Sequence, residues 1–256
     1  MKLYLILILT LSICSSIFSQ NLRFDVNKGP LLANEFFALI KDLENEQCVQ
    51  ADINNDGFID LVQLGTDNMY FYLNDRGLTF NRIRISSPLL QAFTFSMGDL
   101  DGDGFQDIIY SGLLGATYKT YVLRFDGQSS FESMPGINFE DVGGAKIVIE
   151  DIDSDGDMDV ILSGTDNNGD RRTRMYKNQG AADFVLTNSP FPDMENSDFE
   201  FFDFDNDGDM DVLLTGASTN GFIAKLYEND GAGNFIDMNN NVPVSYTHLR
   251  AHETKP

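Results

Sequence analysis

The 256-residue chain contains no tryptophan, only two cysteines (Cys14 and Cys48) and only two histidines (His248 and His252). So few cysteines exclude a disulfide-stapled scaffold. Between residue 20 and the tail there is no histidine, no reactive cysteine pair and no nucleophile motif, so the usual acid–base and nucleophilic constellations are missing. Positive charge is also scarce: 17 Lys and Arg stand against 40 Asp and Glu, a net charge of -23. Affinity for a phosphate backbone comes from basic side chains, so nucleic acid is excluded as a partner and cations are the expected ones. Helical periodicity is absent from residue 47 onward, which leaves an all-β reading.

Apolar material is not lacking. At 42% hydrophobic and 12% aromatic, the chain can build a sizeable core. Its most continuous apolar run, Leu3 to Phe18 behind Met1-Lys2, has the charged-then-apolar order of a secretory signal. The run is shorter than the about 20 residues that span a bilayer. A signal peptide over residues 1–19, cleaved after Ser19, is therefore expected, with no membrane span afterwards and a secreted or cell-surface location. Leu11-Ser12-Ile13-Cys14 is similar to a bacterial lipoprotein box, but Ile13 stands where a small residue is required, which argues against lipidation of Cys14. Cleavage leaves Cys48 alone, read as a buried strand residue, and a bound metal is expected to replace the missing disulfide staple.

A lead-in over 20–46 carries no assigned element, and the sequence then becomes periodic. An acidic nine-residue stretch begins at Asp52, Asp99, Asp151 and Asp203, in steps of 47, 52 and 52 residues. Each copy follows a short β-type run (Gln47 to Ala51, Phe93 to Met97, Ala145 to Ile149, Phe199 to Phe202). Each precedes an aliphatic one that ends at Gly65, Gly112, Gly164 or Gly216. A third strand is expected at Met69 to Leu73, Thr120 to Arg124, Arg174 to Tyr176 and Ala224 to Tyr227. Glycine turns at Gly77, Gly127, Gly180 and Gly231 then lead to Phe80, Phe131, Phe184 and Phe235, which open a fourth strand. Four short antiparallel strands per repeat describe a β-propeller blade. The repeats fall at about 47–92, 93–144, 145–197 and 198–241, joined by turn-rich connectors inside one domain.

The acidic stretches have the chemistry of calcium loops. Calcium takes six to eight oxygens at about 2.3–2.6 Å, and alternating oxygen side chains on a tight turn supply them. The expected ligands are Asp52, Asn54, Asp56, the Phe58 carbonyl and Asp60 in the first loop, and Asp99, Asp101, Asp103, the Phe105 carbonyl and Asp107 in the second. In the third they are Asp151, Asp153, Asp155, the Asp157 carbonyl and Asp159, and in the fourth Asp203, Asp205, Asp207, the Asp209 carbonyl and Asp211. Glycine at position six (Gly57, Gly104, Gly156, Gly208) relieves the turn. An EF-hand is excluded, because position twelve is Gln63, Tyr110, Leu162 or Leu214 rather than glutamate, and no helices flank the loop. Magnesium keeps several waters and suits such a cage less well. The loops hold 17 of the 40 acids, and the first, with Asn54 and three acids, is expected to bind most weakly.

The motif D-x-[DN]-x-D-G-x-x-D, followed by an apolar strand and glycine, resembles the FG-GAP/VCBS repeats of integrin α-subunits and secreted bacterial proteins, over residues 47 to 240. The resemblance implies a calcium-stabilised propeller of about seven blades with about four calcium ions held here, one per repeat. An open arc of four blades would expose two blade faces. The expected role is a non-catalytic binding or adhesion module for an extracellular glycan or protein. The alternatives are the propeller portion of a polysaccharide lyase or hydrolase, which needs at least a carboxylate pair, and a spacer within a larger surface protein. Arg171, Arg172 and Arg174 form the dense basic cluster, read as charge relief at a hairpin rather than a seat for an acidic glycan. Residues 242–256, from Val242 through Ser245 to Pro256, lean basic and resemble the adapter-derived tail of some assembled gene fragments; native sequence is expected to end near Val242 to Val244, with further repeats missing.

Overall fold

Each acidic loop is the turn of an antiparallel strand pair, and two further strands extend that pair into a four-stranded sheet. A computed structural model describes residues 47–64, 68–76, 79–86 and 91–238. The signal peptide, the lead-in, Gly65, Gly77 and the tail lie outside the described residues. The first sheet comprises β1 (Gln47–Ala51), β2 (Asp60–Leu64), β3 (Asn68–Asp75) and β4 (Thr79–Ser86). The second comprises β5 (Gln91–Gly98), β6 (Asp107–Leu114), β7 (Thr117–Phe125) and β8 (Phe131–Ser133). The third is built from β9 (Val142–Glu150), β10 (Asp159–Asp166), β11 (Arg171–Asn178) and β12 (Phe184–Thr187). The fourth is built from β13 (Met194–Phe202), β14 (Asp211–Ser218), β15 (Gly221–Asn229) and β16 (Phe235–Asp237). Every sheet runs in chain order with antiparallel pairing, so the described residues are all-β and form four propeller-like blades.

The strands outrun their sequence signals. β6, β10 and β14 do not stop at Gly112, Gly164 and Gly216 but continue two residues beyond each. The glycines mark β-bulges instead: the register shifts opposite them, between Ala92 and Thr94 in β5 and between Glu195 and Asp198 in β13. A Cβ at Gly216 would stand 2.8 Å from the Cα of Ser197, so the bulged partner strand leaves room for glycine alone. A strand-ending signal and a bulge signal look alike in sequence, because both are written with glycine.

The core lies between blades. Ile53, Val62 and Phe71 of the first blade pack on Phe95, Ile108, Tyr110 and Phe125 of the second. Leu100, Ile109 and Val122 pack on Val142, Val160, Leu162 and Tyr176 of the third. Ile152, Ile161 and Met175 pack on Met194, Phe199, Val212 and Tyr227 of the fourth. The connectors contribute plugs: Phe139 and Phe191 are buried, and Phe191 sits 4.9 Å from the Tyr227 ring and 5.1 Å from the Phe235 ring. Edge-to-face aromatic packing of this kind adds about 0.5–1.5 kcal/mol beyond burial.

Polar bonds fix the same junctions at the loop rim. The carbonyl of loop residue two accepts a hydrogen bond from the next blade each time: Ile53 from Gln106 N at 3.0 Å, Leu100 from Asn178 Nδ2 at 2.9 Å, Ile152 from Asn229 Nδ2 at 2.9 Å. Ile53, Leu100 and Ile152 are 0–2% exposed, whereas their counterpart Phe204 in the fourth blade is 52% exposed, beside Phe202 at 37%. Of the two faces expected to be exposed, the outward face of the fourth blade is; on the first blade, Leu61 and Gln63 are buried. Asn178 Nδ2 also donates to Met158 O within its own blade. Asn178→Ala strands both carbonyls and is expected to cost about 2 kcal/mol or more, read as a lower midpoint in urea unfolding with an unchanged slope.

Candidate functional site: four acidic loops on one rim

The loop backbone is set by two left-handed residues. Position six is glycine with φ between 87° and 101° in all four loops. A Cβ at Gly57, Gly156 or Gly208 would meet nothing within 4 Å, so the requirement is dihedral and not spatial. Position four is left-handed too: Asn55 (φ 55°), Gly102 (φ 77°), Ser154 (φ 58°) and Asn206 (φ 64°). The alternating acids do not mark this position, and its signal in the sequence is the Asn or Gly found in three of the four loops, residues that tolerate such a φ.

The turn aims backbone N–H groups at the loop's own carboxylates. Asp99 Oδ1 accepts from Gly102 N at 2.8 Å and Asp103 N at 3.1 Å, and its Oδ2 from Gly104 N at 2.8 Å. Asp52 and Asp151 accept the corresponding bonds from positions five and six, and Asp203 from Gly208 N. At position five Asp56, Asp103, Asp155 and Asp207 each accept from the amide two residues on. These bonds hold the acids inward before any ion is present.

The ninth residue behaves differently. Asp60, Asp107, Asp159 and Asp211 are 0–1% exposed, and both oxygens of each are engaged by backbone. Oδ2 accepts from loop residue two (Ile53, Leu100, Ile152, Phe204) at 2.8–3.2 Å. Oδ1 accepts from the third strand (Asn74, Phe125, Asn178, Asn229) at 2.6–3.0 Å. The residue expected only as a final ligand is therefore also the clamp between loop and sheet. Its remaining lone pairs still face the loop: Asp107 and Asp211 have an oxygen within 4.8 Å of the neighbouring acids.

Three carboxylate groups could hold a metal ion among the described residues: Asp99, Asp101 and Asp107; Asp151, Asp153 and Asp155; Asp203, Asp205 and Asp211. The first loop, where Asn54 replaces one acid, forms no such three-acid group. The third loop gives a direct test of fit. Asp153 Oδ1 is buried and has no hydrogen-bond partner, while its Oδ2 is paired with Lys177 at 2.8 Å. An orphaned carboxylate oxygen inside an acid cluster fits a cation, because burial without a partner is otherwise costly. The first two loops abut, with a Cβ at Gly104 falling 3.6 Å from Asn55 Nδ2, and the residue-two carbonyls of the first three loops each bond to the next blade, so the loops follow one rim.

The basic cluster is spent on ion pairs. Arg171 meets Glu195 of the fourth blade at 2.6 Å, Arg172 meets Asp166 and Glu140, and Arg174 meets Glu140 and Asp193. Charge relief, within the hairpin for Arg172 and toward the fourth blade or the connectors for the others, accounts for all three side chains.

Burial pushes the Asp107 carboxyl up to about 7 and that of Asp159 up to about 6, overriding the two N–H donors that pull each down, and Asp60 is raised for the same reason. Desolvation and the neighbouring carboxylates also raise Asp205 and Asp209. A carboxyl with a folded pKa above its unfolded value of 3.8 adds stability that is full below about pH 4 and is lost as pH rises through the folded value. In chelator, the urea midpoint is therefore expected to fall between pH 5 and pH 8, and Asp107→Asn to flatten that slope.

With this geometry in view, the chain can be set beside known proteins. A comparison with curated proteins finds no match. Among solved structures, the chain is similar to a lectin of Agrocybe aegerita described as specifically recognising non-reducing terminal N-acetylglucosamine, at 19% identity and a TM-score of 0.52, over 76% of this chain. It spans about half of that lectin, 51%. It is also similar to part of the Photorhabdus luminescens Tc holotoxin pore, at 17% identity and a TM-score of 0.47, covering 74% of this chain and 9% of the toxin chain. The lectin likeness speaks to the fold. The family model for the FG-GAP-like repeat matches residues 52–110 and 151–214, which hold all four acidic loops whole, and those residues are FG-GAP-like repeats.

Proposed function

We propose that this chain is a secreted, non-catalytic binding module for an extracellular glycan or protein, whose loop rim is stapled by calcium. The carrying observation is the orphaned, buried Asp153 Oδ1 within a three-acid cluster, in a loop type repeated along one rim. All donors are oxygens on tight turns, which suits a hard cation with a high coordination number. Asp52, Asn54, Asp56 and Asp60, with the Phe58 carbonyl, would hold the first ion, and the corresponding residues of the other loops the rest. Bound calcium supplies charge neutralisation and rigidity. The chain's own residues orient the loops through the buried ninth aspartate and join blade to blade through Asn178 and Asn229.

Binding is favoured over catalysis by the placement of the raised carboxyls. A protonated acid is standard equipment for glycoside cleavage, but the two carboxyls raised furthest, Asp107 and Asp159, are 0% exposed with both oxygens bonded to backbone, so no substrate reaches them. The lectin that resembles this fold is described as recognising a terminal N-acetylglucosamine, which makes glycans the first ligands to try. Secretion rests on the sequence of residues 1–19; no helix among the described residues is long and apolar enough to cross a membrane.

Only folded loops bring these oxygens together, so calcium should stabilise by mass action, at about 2.7 kcal/mol per site when present at 100 times its dissociation constant. The expected result is a melting temperature lowered by chelator and restored by calcium, and an unchanged melting temperature would refute the staple. On a glycan array, calcium-dependent retention without release of reducing ends is expected; steady release would convert the binding module into an enzyme.

A further inference from the structure

One sequence position is occupied differently in each blade. The third-strand residue just before the amide that clamps the ninth aspartate is Leu73, Arg124, Lys177 and Glu228 in turn. In the second blade, Arg124 places Nε 2.6 Å from Asp101 Oδ2 and Nη2 2.6 Å from Asp103 Oδ2. Its fork thus spans loop positions three and five, both of them expected metal ligands. In the third blade, Lys177 Nζ lies 2.8 Å from Asp153 Oδ2 and 2.6 Å from the Ala232 carbonyl of the next blade. Lys177 is held tightly there, since a Cβ on Gly233 would stand 2.9 Å from its Nζ. The fourth blade has the opposite sign, Glu228, at the same strand position, and its loop carries five aspartates.

We infer that Arg124 and Lys177 are resident counter-cations that set metal affinity loop by loop, so that the second and third loops depend less on metal than their acids alone would make them, and the fourth loop, with Glu228 at the matching strand position, binds it tightest. This rests on the calcium reading above and goes beyond it, because the motif alone makes the second, third and fourth loops nearly alike. Counting the neighbouring side chain, the second loop falls to the formal charge of the first, -3, the third stands at -4 and the fourth at -6. A divalent ion entering the second loop must share or displace the Arg124 fork, whose side chain is half exposed. In the third loop Lys177 occupies one oxygen of Asp153 and leaves the other, Oδ1, open to the metal. Resident cations offset carboxylate repulsion in the metal-free state and repel the ion in the bound one, so they weaken binding from both ends of the equilibrium.

The experiment uses the full chain and three variants, Arg124→Gln, Lys177→Gln and Glu228→Lys, with melting in chelator and in calcium and calorimetric titration with calcium chloride. Arg124→Gln and Lys177→Gln are expected to melt lower in chelator, to show a larger calcium-induced rise, and to tighten one site by roughly three- to tenfold. Glu228→Lys is expected to do the reverse: higher melting in chelator, a smaller rise and one weakened site. If the glutamine variants melt lower by the same amount with and without calcium, and all titrations superimpose on that of the unmodified chain, the ion pairs are structural only and the inference is overturned. A calcium-induced rise absent from the unmodified chain would instead overturn the calcium reading itself, and this inference with it.

Discussion

The fold depends on a carboxylate with no access to water. In each blade the ninth loop aspartate, at Asp60, Asp107, Asp159 or Asp211, accepts one amide from the loop's second residue and one from the third strand. That single side chain closes the turn and ties it to the sheet, satisfying two buried N–H groups that no strand ladder could reach. Holding a carboxylate in such a place is costly, and burial raises Asp107 and Asp159 well above the usual range. The acids around it, which would repel one another in a metal-free loop, are the natural means of recovering that cost through a bound cation.

Blades are incomplete units. Their apolar faces are buried only against neighbours, as Val62, Ile109 and Ile161 are, whereas Leu213 at the same position in the fourth blade is half-buried and Phe204 is largely exposed. Polar stitching runs parallel to that packing, through the loop carbonyls of Ile53, Leu100 and Ile152. Loop order and blade order are therefore the same thing: rigidifying a loop rigidifies the junction it carries. This links the chemistry of the rim to the geometry any ligand would meet, and it explains why a metal staple suits a chain with so few cysteines.

Similar loops need not be equivalent. The repeat motif presents nearly the same acids four times, yet one strand position is Leu73, Arg124, Lys177 or Glu228, and Arg124 and Lys177 pair with their loops. Variation outside the motif is delivered to the loop by the third strand, which pairs directly with the strand that leaves the loop. The arginine cluster at 171–174 shows the same economy in reverse, since its charges are consumed by Asp166 of its own hairpin, Glu140 and Asp193 of the connectors and Glu195 of the fourth blade.

The sequence by itself determined the repeat, the four-strand grammar and the loop chemistry, because alternating acids, a glycine at position six and runs of β-branched residues are local requirements that show as local letters. Asp151 to Asp159 could be read as a cation loop from spacing alone. Tertiary structure decided the rest. That Asp159 is a clamp as well as a candidate ligand follows from an amide, Asn178 N, which is 19 residues away. That Gly164 and Gly216 sit at bulges and do not end strands follows from the register of the partner strand. That Phe191 plugs a blade junction, and that Lys177 reaches Asp153 while holding Ala232 of the next blade, follows from sheets packing face to face. Contacts between residues far apart in the chain leave no periodic trace, so only the packed blades reveal them.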